Sequence, residues 1–243
     1  MNLITMENIV FGYSHVPVIN DVSLDIRSGE FVGITGQNGA AKSTLLRIML
    51  GLLKPWHGKI MISKKNDKGR RLKVAYVPQQ IASFNVGFPS TVLELVKSGR
   101  FQKGKWFKRL KRTDEALVRN ALEMVGMWEY RHHKIGSLSG GQKQKICIAR
   151  AYVSEPDVFV LDEPTTGMDV ESRMEFYQFM HLQIKAHDRT VIMVTHDLDE
   201  VQDYLDKHIR LERGEDGEWK CLISASCNEH SGLVDSSELL LQS

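Results

Sequence analysis

A short apolar run, Phe31-Val32-Gly33-Ile34-Thr35, feeds through a Gly- and Asn-containing loop into a second apolar segment from Leu45 to Leu53. A strand of this kind has no polar face to offer solvent, so it must be covered on both sides. The pattern reads as strand, loop, helix, and it limits the chain to folds that place a helix directly after a buried strand. Gly51 and Pro55 mark where that helix gives out. The same theme recurs along the chain. Val74–Val77 is a second buried strand stopped by Pro78, Val158–Leu161 a third, and Thr190–Thr195 a fourth. Helical periods lie between them. From Thr113 to Val125, Ala116, Leu117, Ala121, Met124 and Val125 follow the helical repeat, and Gly126 closes the element. Gln142 to Val153 reads as a helix, and so does Val170 to Ala186, where Met174, Tyr177 and Leu182 are spaced to share a face. Thr91-Val92-Leu93-Glu94 has capping-box spacing and opens another helix. Apolar strands alternating with helices imply an α/β fold with a parallel sheet covered on both faces.

From about Phe84 to Pro156 the chain reads as all-helical, inserted between strand-rich halves. The expected division is a core of residues 1–83 and 157–213, a helical insertion at 84–156, and a polar tail at 214–243 with no assigned role. The 243 residues suffice for one sizeable core. A composition of 42% hydrophobic and 26% charged residues excludes a disordered chain, and a net charge of +2 gives no global reason to expect a nucleic-acid binder. No stretch approaches the roughly 20 apolar residues that cross a bilayer. Met1 to Glu7 lacks the basic and apolar regions of a signal peptide, so we expect a cytoplasmic chain whose link to a membrane comes through a partner. Three cysteines, Cys147, Cys221 and Cys227, fit a reducing compartment. Cys221, Cys227 and His230 can be read as metal ligands or as two unpaired thiols in a polar tail. Zinc sites show tighter Cys spacing, which favours the thiols.

The chemistry concentrates in four places. Gly36-Gln37-Asn38-Gly39-Ala40-Ala41-Lys42-Ser43-Thr44 nearly matches the phosphate-loop pattern G-x-x-x-x-G-K-[ST], in the strand-to-helix context the pattern needs. Backbone N–H groups there would curl round phosphates, Lys42 would place its charge between the β- and γ-phosphates, and the Ser43 hydroxyl would ligate Mg²⁺. Ala41 departs from the pattern, which wants glycine. We expect it to sit at helical φ with its methyl turned away, so that ATP still binds. Second, Asp162-Glu163 ends a buried strand. There Asp162 would hold Mg²⁺, and Glu163 would orient or deprotonate the attacking water. Third, His196 follows the strand Val191–Thr195, where a histidine is otherwise most often structural. Fourth, Leu138-Ser139-Gly140-Gly141-Gln142 would arise by accident in such a chain roughly a few times in ten thousand.

In their order along the chain, these motifs resemble the nucleotide-binding subunits of ATP-binding-cassette (ABC) transporters over about 210 residues. The resemblance implies a P-loop, RecA-like core with a parallel sheet, an N-terminal antiparallel β portion and an inserted helical subdomain. By the same resemblance Tyr13 stacks on adenine, with Phe11 close by, and His196 contacts the γ-phosphate. Gln79 joins the catalytic site to the insertion and senses Mg²⁺ and water. Asp169, in the segment behind Glu163, is implied to be one of the nucleotide-binding residues. Ser139, Gly140, Gly141 and Gln142 complete the ATP site of a second copy in a head-to-tail dimer. The implied cofactors are ATP and Mg²⁺. The implied partners are a second copy, multispan permease subunits at the cytoplasmic face of the membrane and, indirectly, an extracytoplasmic metal-binding protein; no nucleic acid is expected.

Asn85-Val86-Gly87-Phe88-Pro89-Ser90-Thr91-Val92, with Glu94 and Gly99-Arg100, resembles zinc and manganese importers, as does Ala40-Ala41-Lys42. Zinc is favoured over manganese. Iron-chelate import and a non-transport ABC ATPase, regulatory or nucleic-acid binding, are the alternatives. The last draws on a basic run (Lys97, Arg100, Lys103, Lys105, Lys108, Arg109, Lys111, Arg112) interleaved with Phe101, Trp106 and Phe107. That run reads equally as a solvated face or as a contact with lipid headgroups or permease.

Overall fold

A computed structural model describes residues 1–79, 90–101, 110–213 and 219–225. In chain order the strands are β1 (Asn2–Phe11), β2 (Ile19–Arg27), β3 (Phe31–Gly36), β4 (His57–Ile62), β5 (Val74–Val77), β6 (Val158–Asp162), β7 (Thr190–Val194), β8 (Lys207–Arg213) and β9 (Trp219–Ala225). The helices are α1 (Lys42–Met49), α2 (Val92–Ser98), α3 (Arg112–Met124), α4 (Gly140–Val153), α5 (Val170–His187) and α6 (Leu198–Val201). The chain forms two compact units. One is Met1–Leu72 with the described residues from Tyr177 onward, and the other is Lys73–Phe176.

In the first unit β1 lies between β2 and β4, antiparallel to both. This is the antiparallel β portion implied by the resemblance. The run from Phe31 becomes β3, paired parallel with β7 on one side and β8 on the other. Five of its six residues are buried, as a strand covered on both faces requires. The helix expected to reach Leu53 ends at Met49 instead. Gly51 adopts φ +67°, its N–H donates to the Ile48 carbonyl and that of Leu52 to Arg47, and Leu52 is left exposed. Left-handed glycine termination therefore comes one turn earlier than apolar content alone indicates. The tail left without a role contains β9, which pairs antiparallel with β8 from Lys207↔Ala225 to Arg213↔Trp219. An edge partner of this kind takes its stability from the neighbouring strand's backbone, which local composition does not reveal.

In the second unit β5 and β6 run parallel, Val74 opposite Val158 and Val77 opposite Leu161. The two strands lie with the helices in this unit, which runs from Lys73 to Phe176. Thr91 caps α2 as its spacing predicts. Its N–H donates to Glu94 Oε2 at 2.7 Å, and the Glu94 N–H donates to Thr91 Oγ1 at 3.3 Å. The bond from the Thr91 N–H first, and then the Thr91 hydroxyl, holds the Glu94 carboxyl below its usual range. On α3 the buried face is Val118, Ala121, Leu122 and Val125, while Ala116 is exposed. The helical period was legible, but its phase was set by what α4 offers to pack against. On α5, likewise, Phe176, Tyr177, Met180 and Ile184 are buried and Leu182 is 59% exposed.

Arg100 is not part of a basic surface. Its guanidinium donates to Asp114 Oδ1 at 2.7 Å, to the Val153 carbonyl at 2.6 Å and to Glu155 Oε2 at 2.6 Å. It thus ties the ends of α2 and α4 to the first turn of α3, and the planar fork suits three acceptors at once. Lys103, Lys105, Trp106, Phe107, Lys108 and Arg109 lie outside the described residues, as does the segment 85–89. Lys111 and Arg112 are exposed. Burial pushes the Cys147 thiol up to about 11 and that of Cys221 up to about 12. A thiol so reluctant to ionise makes a poor metal ligand; Cys227 and His230 lie outside the described residues.

Candidate functional site

The first unit builds a phosphate cradle. After β3 the chain turns through residues 37–41, with the Ala40 N–H donating to the Gln37 carbonyl at 3.0 Å, and enters α1 at Lys42. The first-turn N–H groups of a helix have no intrahelical acceptor, and they lie here at the positive end of its dipole. Gly39 at φ +82° bends the loop without a side chain in the way. Lys42 is 6% exposed, and its Nζ folds back to donate to the carbonyls of Gly36 (2.8 Å) and Gln37 (3.0 Å). Its charge is therefore held inside the curl of the loop. Ser43 and Thr44 follow in the first turn, Ser43 half-buried and Thr44 buried.

The expectation for Ala41 is overturned. It sits at φ +56°, ψ +19°, in the left-handed region, not at helical φ. The loop demands at this position the angle that glycine takes freely, and an alanine methyl there costs about 1–2 kcal/mol. Ala41→Gly is therefore expected to stabilise the chain by about 1 kcal/mol, raising Tm by about 2–4 °C. ATP affinity should stay within a few fold, because the backbone already has the conformation glycine would adopt. Thermal melts with and without nucleotide check both parts. A lower Tm would show that alanine is not strained.

Tyr13 and Phe11 are now separable. Phe11 is 6% exposed and belongs to the core, whereas Tyr13 is 63% exposed. The Tyr13 ring stands edge-on to Phe11 at 5.1 Å between centroids, and its hydroxyl is hydrogen-bonded to Thr44 Oγ1 at 3.0 Å. That leaves an aromatic surface beside the cradle, suited to stacking on a planar base. The Thr195 N–H donates to the Ile34 carbonyl at 3.1 Å, tying the end of β7 to β3. His196, the next residue, is exposed. One contact was missed from sequence. The ring of His208 on β8 is hydrogen-bonded at 2.7 Å to Thr35 Oγ1, directly before the loop. Burial, helped by Arg210, lowers its pKa and favours the neutral ring. A lone histidine in a charged strand carries no local signal of that pairing.

The second unit holds the acidic pair and the signature. Asp162, 3% exposed, ends β6, and Glu163 follows at φ +50°. The Gln79 side-chain amide donates to Glu163 Oε2, across 84 residues of sequence. A carboxylate held this way has one oxygen aimed by a neutral donor. Asp169 has a visible local task. It accepts the Ser172 N–H and hydroxyl, each at 2.9 Å, at the start of α5. Those bonds, the backbone one first, hold its carboxyl below the usual range. Ser139 and Gln142 form a reciprocal cap on α4: Ser139 N–H to Gln142 Oε1 at 3.0 Å, and Gln142 N–H to Ser139 Oγ at 3.2 Å. Ser139 and Gly140 are exposed at that helix N-terminus, an arrangement that favours anions. Gly141 faces the Gly167 carbonyl so closely that a Cβ would lie 3.2 Å from its oxygen. A cleft of about 300 Å³ opens beside them, lined also by Gln79, Lys143, Gln144 and Thr166. Among the described residues no three His, Cys, Asp or Glu side chains converge to hold a metal ion, and no helix is long and apolar enough to cross a membrane.

Residues 19–166 match the family described as ABC transporter. The chain is 66% identical over 229 residues to the high-affinity zinc uptake system ATP-binding protein ZnuC of Bacillus subtilis (strain 168), covering 94% of this chain and 99% of the relative. It is 53% identical over 221 residues to the zinc transport system ATP-binding protein AdcC of Streptococcus pneumoniae, with 91% and 94% covered. Among solved structures it resembles the dimeric post-hydrolysis state of the ATP-binding cassette MJ0796 bound to ADP and Pi, at a TM-score of 0.73 and 28% identity, covering 91% of this chain and 98% of that one. With a phosphate loop after β3, an acidic pair ending β6 and a signature opening α4, the chain belongs to the ABC transporter family, as one of its ATP-binding cassettes.

Proposed function

We propose that this cassette hydrolyses ATP as a dimer on the cytoplasmic face of the membrane and thereby powers a permease that imports zinc. The observation that carries the zinc reading is the 66% identity, over nearly the full length of both chains, to a zinc uptake cassette. The hydrolytic reading rests on Glu163, oriented by Gln79. In this reading Tyr13 stacks on the adenine, and Gly36 to Thr44 wrap the phosphates with Lys42 as the charge. Glu163 takes the proton of the attacking water, and His196 steadies the terminal phosphate. Ser139, Gly140, Gly141 and Gln142 close on the nucleotide of the second copy, and Asp169 fixes the segment that leads into α5.

Ser43, Gln79 and Asp162 would hold Mg²⁺. Hydroxyl, amide and carboxylate oxygens form the all-oxygen set that a hard divalent cation takes. The ion would offset the charge on the β- and γ-phosphates. The helical unit, through Gln79, would pass the state of the nucleotide to the permease.

A strain deprived of this chain should stop growing in chelated medium and recover on added zinc, while the purified chain releases phosphate from Mg·ATP. Recovery on manganese alone would overturn the zinc reading. A purified chain that bound no ATP would overturn the whole.

A further inference from the structure

Gln144 is 5% exposed, and its side-chain Nε2 is buried without a hydrogen-bond partner among the described residues. An amide donor left that way is costly, and replacing it with an apolar side chain of the same shape would be nearly neutral or stabilising. A cost borne in one state calls for a use in another. Gln144 lies one turn into α4 and lines the same cleft as Thr166 and Gly167. The segment Glu163–Gly167 is the exit of β6: the Thr166 N–H donates to the Glu163 carbonyl, and the Gly167 carbonyl already lies against Gly141 on the first turn of α4. Thr166 and Gly167, in the turn that follows Glu163, thus share that wall with Gln144. The cleft, at about 300 Å³, leaves room for the turn to move toward α4.

We infer that Gln144 is a positioning residue for hydrolysis. When the chain is loaded with ATP, its Nε2 donates to a backbone carbonyl of the Thr166-Gly167 turn and locks the exit of β6 against the signature helix. The lock sets where Glu163 stands without touching nucleotide, so it acts on turnover and not on binding, which belongs to the phosphate loop and Tyr13. This inference rests on the ATPase reading above.

The full chain is compared with Gln144→Met, which removes the donor at constant volume, and Gln144→Glu, which keeps the shape but offers an acceptor. Both should lower kcat about tenfold, the loss expected for about one hydrogen bond, with KM for ATP within twofold. The Met variant should melt at or above the wild-type Tm without nucleotide, opposite to what a merely structural residue would do. Wild-type kcat in both variants, or KM rising as kcat falls, would overturn the inference while leaving the ATPase reading intact. A wild-type chain that releases no phosphate would overturn both. Should either variant fail to fold, a structure of the Glu163→Gln chain with ATP decides. Nε2 within 3.2 Å of a carbonyl of residues 166–167 supports the lock, and separation beyond hydrogen-bond reach overturns it.

Discussion

Glu163→Gln is expected to lower ATP turnover by about 10²–10⁴-fold while leaving nucleotide affinity within a few fold. The substitution preserves the size of the side chain and its position after β6, and the Gln79 amide still has an oxygen to donate to. It removes only the capacity to accept a proton, because an amide oxygen is far less basic than a carboxylate. Binding survives because the cradle of Gly36 to Thr44 and the aromatic face of Tyr13 belong to other elements. Single-turnover phosphate release measured beside equilibrium ATP binding separates the two quantities. Unchanged turnover would take Glu163 out of its role. Loss of binding in parallel with turnover would mean that the carboxylate helps hold the nucleotide rather than activate water.

Lys42→Ala should act on the opposite quantity. With Nζ donating to two loop carbonyls and 6% of the residue exposed, the ammonium ties the loop to itself and, in its proposed role, would also neutralise phosphate. Each charge-assisted hydrogen bond contributes about 1.5–3 kcal/mol, so ATP affinity should fall about 100-fold or more. The nucleotide-free chain should also lose about 1–3 kcal/mol, since the carbonyls of Gly36 and Gln37 lose their donor. Lys42→Arg is a useful control. It keeps the charge, but its larger planar head does not fit the curl of the loop, so it should restore little affinity. ATP titration and thermal melts read both effects. An alanine variant that kept wild-type affinity would mean that the backbone cradle alone carries the phosphates.

The strands β3, β6 and β7 were legible because burial on both faces leaves one reading of such a run, whereas β5, also expected to be buried, is exposed at Val74 and fully buried only at Val77. The caps on α2 and α4 were legible too, since Thr91 and Ser139 make bonds that close within three residues. The phase of α3, with Val118 and Leu122 inward and Ala116 outward, was not. A helical period can be read from the helix alone, but its rotation depends on the neighbour.

The residues of the site divide the same way. Which side chains are present, and that a phosphate loop precedes a helix, an acidic pair ends a strand and Gly-Gly opens another helix, are properties of spacing. They follow from short-range sterics and from the few residue types able to do each task. The left-handed angle of Ala41, the choice of Tyr13 over Phe11 as the exposed ring, the bond from Gln79 to Glu163 and the inward turn of Arg100 needed the folded chain. Each depends on groups brought together from distant parts of the sequence. Local sequence names the partners a residue can have, and only packing decides which of them it meets.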